Sequence, residues 1–194
     1  MENKTNYEYL EGTVRNTFAS VVWSHKIQEK QADIYADKYR CMETAKIWAA
    51  SLTSVGIVSL IFTDALWIKL VSALISFVSV FVSAFFKSFD LKTMIGEHKR
   101  SAVATLAIRD ELIMLLLQIR MQTESADSLF SKYEGLVKQL HKVYAEAPAT
   151  TNEAVEKART ALNIQQDNTF SDKEIDSYLP RALRKVDRSD EHGR

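Results

Sequence analysis

Cysteine occurs once in this chain, at Cys41, so no internal disulfide can form and a thiolate metal centre is not expected. Proline occurs twice and glycine five times. Turns draw on both residues, and a β-rich fold would need more of them. Twenty-five basic side chains are matched by twenty-five acidic ones, which gives no reason to expect bulk binding of duplex DNA. No Gly-rich phosphate loop, HExxH, GxSxG or paired-cysteine motif occurs. Histidines 25, 98, 141 and 192 lack metal-ligand spacing, and His25 with Glu29 is the i,i+4 pair of an ordinary helix face. Neither enzymatic activity nor a metal or cofactor is expected. The N-terminus MENKTNYEYLEG is polar and acidic, unlike a cleaved signal peptide.

Charge is also scarce in one particular place. From Ile47 to Phe86 only Asp64 and Lys69 are charged, while the flanks are densely so. One straight helix of that length would reach about 60 Å, twice the hydrocarbon core of a bilayer, so the segment has to fold back. Thr63-Asp64 marks the break, with Asp64 as N-cap of a helix from Ala65. The spans are then residues 45–62 and 65–86. Trp48 and Trp67 sit near the start of each, where indoles favour the interface. Lys38, Arg40 and Lys46 precede the first span; Lys87, Lys92, Lys99 and Arg100 follow the second; the turn offers only Lys69. The positive-inside rule therefore puts both termini in the cytoplasm.

The second span carries serines at 72, 76, 79 and 83. A helix advances about 100° per residue, so Ser72, Ser76, Ser79 and Ser83 share an arc of about 60°, and Lys69 and Lys87 extend that face at its ends. Opposite lie Leu70, Leu74, Phe77, Phe81 and Phe85, suited to lipid. Two explanations compete for the small polar face. It lets helices approach closely and hydrogen-bond, or it lines a water-filled path enclosed by several copies. The first span adds a small face of Ser51, Val55 and Ser59.

The flanks read as helix. Residues 7–46 repeat Phe18, Val21, Val22, His25, Gln28, Ala32, Tyr35, Tyr39 and Met42 at helical spacing. After the hairpin one continuous helix is expected from Phe89 to Ala145. Its expected apolar line runs through Leu91, Ile95, His98, Ala102, Leu106, Arg109, Ile113 and Leu116, then Leu129, Tyr133, Leu136, Leu140 and Tyr144. The triplet Arg109-Asp110-Glu111 points to a partly buried ion pair between helices. Thr151 can cap a helix over 152–165, and Ser171 to Glu174 form a capping box for a short helix ending before Pro180. The expected architecture is an all-α membrane protein: a cytoplasmic amphipathic helix (1–44), a transmembrane hairpin (45–86), a cytoplasmic helical region (87–165), and a short helix with a charged tail (166–194). The flanking helices emerge on one side of the membrane and are expected to pack as a collar.

TVRNTFASVVWSHKIQEKQADIYADKYR, the hairpin, FDLKTMIGEHKRSAVATLAIRDEL and the turn EAPATTNEAVEKA together resemble the SLATT family of bacterial two-span proteins, over roughly residues 8–165. The resemblance implies an effector of the cell membrane in antiphage defence. It would oligomerise and perforate or depolarise the membrane, an abortive-infection outcome, under a nucleotide or oligonucleotide made by a partner nucleotidyltransferase. A tetramer is expected, since several second spans are needed to ring an opening. Given such an anionic ligand, the candidate cationic residues near the inner mouth are Lys87, Lys92, Lys99 and Arg100, with Arg109 deeper along the same helix. The next candidates are Arg181, Arg184, Lys185 and Arg188. The alternative is a non-conducting membrane-anchored scaffold governed by a protein partner.

Overall fold

The computed structural model describes residues 2–62, 65–87, 90–167 and 171–180, and all its elements there are helices. They are α1 (Glu2–Phe62), α2 (Leu66–Lys87), α3 (Leu91–Met121), α4 (Ala126–Glu146), α5 (Asn152–Asn163) and α6 (Asp172–Tyr178). The chain divides into two compact units, residues 1–158 and 159–194.

Residues 2–62 supply one uninterrupted helix because no proline and only two glycines fall within it. At about 1.5 Å per residue, α1 is long enough to pack in the helical bundle and to reach well beyond it beside α2. The expected N-cap at Asp64 lies outside the described residues. After α2, Asp90 caps α3: its carboxylate accepts from the backbone N–H of Thr93 at 3.1 Å.

The expected single helix over 89–145 is corrected to two. Gln122 closes α3 in the left-handed conformation (φ 49°), and its N–H bonds back to Ile119 at 3.2 Å. Ser125 then caps α4, accepting from the Ser128 N–H at 3.3 Å. Neither residue is a glycine or proline, so the usual signals of a break are missing from the sequence. Folding back is favoured because an unbroken helix would leave its apolar face without a partner. Instead α1, α3 and α4 bury one cluster: Leu10, Val14 and Val21 meet Ile108, Leu112, Leu115 and Ile119, and Leu129, Leu136 and Leu140. Burying each such side chain stabilises by about 1.5–3 kcal/mol before entropy is counted.

The buried line of α3 also differs from expectation. Leu91, His98 and Ala102 are buried as expected, but the line continues through Ser101, Thr105, Ile108, Leu112, Leu115 and Ile119. Arg109, Ile113 and Leu116 lie to its side. Residues 112–117 read LIMLLL, so every face there is apolar, and periodicity alone cannot choose among them.

Alongside α1, the stretch 124–151 runs in the same direction, and its register is fixed by polar bonds. Tyr7 donates to the Glu124 carbonyl at 2.8 Å. The Thr17 and Tyr133 hydroxyls meet at 2.7 Å, and those of Ser24 and Tyr144 at 3.0 Å. Thr151 caps α5 as expected, accepting from the Ala154 N–H at 3.3 Å. In the second unit, Ser171 and Glu174 form the expected capping box of α6.

Candidate membrane hairpin and buried polar layer

Among the described residues α2 alone, over Leu66–Ala84, is long and apolar enough to cross a membrane. Part of the expected first span, residues 56–57 and 59–62, lies outside the described side chains. On α2 the lipid-facing expectation matches the observed exposure. Leu70, Leu74, Phe77 and Phe81 are each more than 60 % exposed, a cost in water of about 25 cal/mol for every Å² left uncovered. Trp48 and Trp67 are exposed as well.

The serine face of α2 turns inward within one copy. Ser72 is buried, Ser76 and Ser79 are half-buried, and Ser83 is exposed. Lys69 is exposed, and the side chain of Lys87 lies outside the description. On the α1 side, the half-buried positions are Lys46, Ala49 and Thr53, at i, i+3 and i+7. Ser51 and Val55 of the expected small face are exposed, and Ser51 donates to the carbonyl of Ile47 at 2.9 Å. Its hydroxyl is satisfied within its own helix.

Between this hairpin and the apolar core, α1 and α3 meet through polar side chains. His25 Nδ1 lies 2.8 Å from the carbonyl of Ala102, and its Nε2 lies 3.4 Å from Glu29. Facing it one turn on, His98 Nδ1 lies 2.5 Å from Gln28 Oε1. Gln28 Nε2 donates to the carbonyl of Pro148 at 3.2 Å. Gln31 Oε1 accepts from both the N–H and the hydroxyl of Thr151 at 2.8 Å. Lys26, also buried, donates to Glu29 at 2.9 Å. Burial lowers the pKa of His98, with Glu97 opposing the shift. The neutral ring with its proton on Nδ1 donates to Gln28 and leaves Nε2 as an acceptor.

Three atoms of this layer, Gln31 Nε2, His98 Nε2 and Ser101 Oγ, are buried without a hydrogen-bond partner. A buried polar atom left unpaired costs about 1–3 kcal/mol, which makes this layer a polar seam within an otherwise apolar interface. Sequence periodicity had included His25, Gln28 and His98 in apolar lines. It missed Gln31, Lys26 and Ser101, whose only signal was polar character beside those lines.

Of the candidate ligand residues, Lys92, Lys99 and Arg100 are exposed on α3. Lys92 and Lys99 lie seven residues apart, within about 20° of one another, while Arg100 and Arg109 are nine apart and point about 180° apart. The helix therefore does not gather Arg109 with the other three. Arg109 instead bonds Asp110 through Nε at 3.0 Å and Nη2 at 2.8 Å. That corrects the expected pair between helices: it lies within α3, and an interhelical pair is Arg120 with Glu11, at 2.8 Å. Arg181, Arg184, Lys185 and Arg188 lie outside the described residues.

Residues 10–174 match the model of the SMODS and SLOG-associating 2TM effector domain family 4. No curated protein and no solved structure matches the chain. The match covers most of the sequence, and the chain belongs to this SLATT family. Membership makes it a membrane effector of nucleotide-signalling defence systems.

Proposed function

We propose, with family membership as the premise, that this chain is a homo-oligomeric pore that breaches the cell membrane when a nucleotide signal changes. Both α1 beyond residue 45 and α2 span the bilayer, and both termini are cytoplasmic. The observation that carries the reading is the two-sidedness of α2. Leu70, Leu74, Phe77 and Phe81 present large apolar groups on one side, and the serines occupy the other. A helix of this kind is built to separate lipid from something polar.

A lone hairpin cannot enclose a path, so conduction needs several copies, with four as the working number. Ser83 and Lys69 are exposed in a single copy and are the first candidates to meet water in the assembly, with Ser72, Ser76, Ser79 and Lys87 completing that face. The signal is an anionic nucleotide or oligonucleotide from a partner nucleotidyltransferase, held by Lys92, Lys99 and Arg100. Arg109, on another face of α3 and bonded to Asp110, is not gathered with them within one copy.

The alternative is a non-conducting anchored scaffold. One observation favours it: Ser72 is already covered, and Ser76 and Ser79 partly so, within one copy, as helix packing alone would require. Purified full-length chain in liposomes separates the two. Release of an entrapped ion-sensitive dye supports the pore, and tight vesicles holding correctly inserted oligomer support the scaffold.

A further inference from the structure

The buried face of α3 accounts for only six of its seventeen apolar residues. On the opposite side, Val103, Ala107, Asp110, Met114, Leu117 and Met121 follow one another at four, three, four, three and four residues. Every one of them is exposed in the single copy, Val103 by 65 %, Met114 by 58 % and Met121 by 73 %. A strict alternation of three and four is the seam of a coiled coil, with Ala107, Met114 and Met121 in one core position and Val103, Asp110 and Leu117 in the other. It extends about 27 Å along the helix. This seam lies opposite Leu112, Leu115 and Ile119, so the three-helix core cannot cover it.

The two flanks of the seam differ in charge. On the α4 side a groove of about 480 Å³ is lined by Asp110, Glu111, Met114, Gln118 and Lys132. There Arg109 answers Asp110, and Lys132 is paired with Glu124. Among the described residues Glu111 forms no ion pair, since Lys132 of the same groove is taken by Glu124. On the α1 side a groove of about 450 Å³ is lined by Arg15, Ile113, Leu117 and Arg120. There two guanidiniums, Arg15 at 3.5 Å and Arg120 at 2.8 Å, share the one carboxylate of Glu11. One flank thus carries an excess negative charge and the other an excess positive charge.

We propose that this face of α3 is the contact between copies of the chain, packed parallel, with Glu111 of one copy set against Arg15 of the next. The occupant is a second copy because the face is self-complementary in that orientation. Two helices packed parallel about an axis along their length bring opposite flanks together, whereas antiparallel packing brings each flank against its own kind. The parallel orientation rests on the reading that all copies sit in one membrane with the same sense. Arg15 lines the groove with Ile113 and Leu117, about one turn from the level of Glu111, within reach of two long side chains. Asp110, the polar member of the seam, fixes the register, as a polar residue at a coiled-coil core position does.

The test uses the full chain in detergent, with native mass spectrometry as the readout and circular dichroism as the check on folding. Met114→Glu with Leu117→Glu is expected to shift the assembly to smaller species at unchanged helix content, because both side chains are exposed. Glu111→Arg and Arg15→Glu are each expected to raise the concentration of half-dissociation on the order of three- to tenfold. The two together should return it to within about twofold of the native value. Assembly unmoved by the Met114 and Leu117 substitutions would mean that copies meet elsewhere, and would overturn the seam while leaving the pore reading intact. Failure of the charge exchange to restore assembly would overturn the parallel register. A native chain found only as monomer would remove the seam and the pore together.

Discussion

Among the described residues, His98 sits in surroundings that oppose its own ionisation. Its ring is almost completely buried, one nitrogen is used by Gln28, and burial holds its pKa below the ordinary histidine value of about 6.5. The sign of the consequence follows directly. A histidine with a lowered folded-state pKa contributes stability that is complete above the unfolded value and is lost as pH falls through the folded one. The solubilised chain should therefore melt at a lower temperature at pH 5 than at pH 7.5. His98→Gln, which keeps a donor toward Gln28 but cannot charge, should reduce that difference. Parallel melting curves for the two proteins across this range would show that His98 does not govern it. The sequence placed His98, Gln28 and His25 on lines that face inward, because helical spacing was enough to do so. It gave no sign that they meet one another, since a contact between residues 28 and 98 depends on the register of α1 against α3. Gln31 was invisible for a related reason: it is covered by Thr151, which reaches it only after α4 has turned back.

At the scale of elements, the apolar span of α2 and the caps of α5 and α6 were legible because each rests on a local signal: an apolar run, Thr151, or Ser171 with Glu174. The break between α3 and α4 was not, because Gln122 takes the position where glycine is the expected residue. That position has a testable signature. Gln122→Val should destabilise the bundle by about 1–2 kcal/mol, since a β-branched residue is strained at positive φ, whereas Gln122→Gly should not destabilise it. Denaturant titration of the solubilised chain measures both, and equal loss in the two variants would remove the left-handed cap as the cause. The serine face of α2 can be divided in the same way. Ser76→Leu with Ser79→Leu changes half-buried positions against α1, so lost conductance there has two explanations. Ser83→Leu changes an exposed position and spares that packing. Insertion should survive in all three substitutions because hydrophobicity rises. Conductance lost in Ser83→Leu as well as in the pair supports a lining role, while loss confined to the pair assigns the serines to packing.

For the whole molecule, a neutral chain can hold a polyanion only by gathering charge locally, and symmetry is the means available. Each basic side chain near the axis of a ring recurs once per copy, so its field adds to those of its equivalents. Extending the α3 repeat back toward the membrane by one heptad from Ala107 puts Arg100 in line with Met114 and Met121, with Lys99 beside it. Parallel copies would then bring like charges together at the membrane end of the seam while apolar side chains join the far end. On the proposed pore reading, such an end would be held apart until an anion bridged it, a physical route from a nucleotide signal to a change at the inner mouth. A labelled oligonucleotide should bind the detergent-solubilised oligomer with an affinity that falls steeply as salt rises. The logarithmic slope should be about −0.7 for each phosphate contact on a single strand. Lys99→Glu with Arg100→Glu should abolish that binding and leave the assembled mass unchanged, because it exchanges one set of like charges for another at that end and does not touch Met114 or Leu117. Binding that ignores salt, or that survives the double substitution, would rule out the ring and leave a protein partner as the regulator.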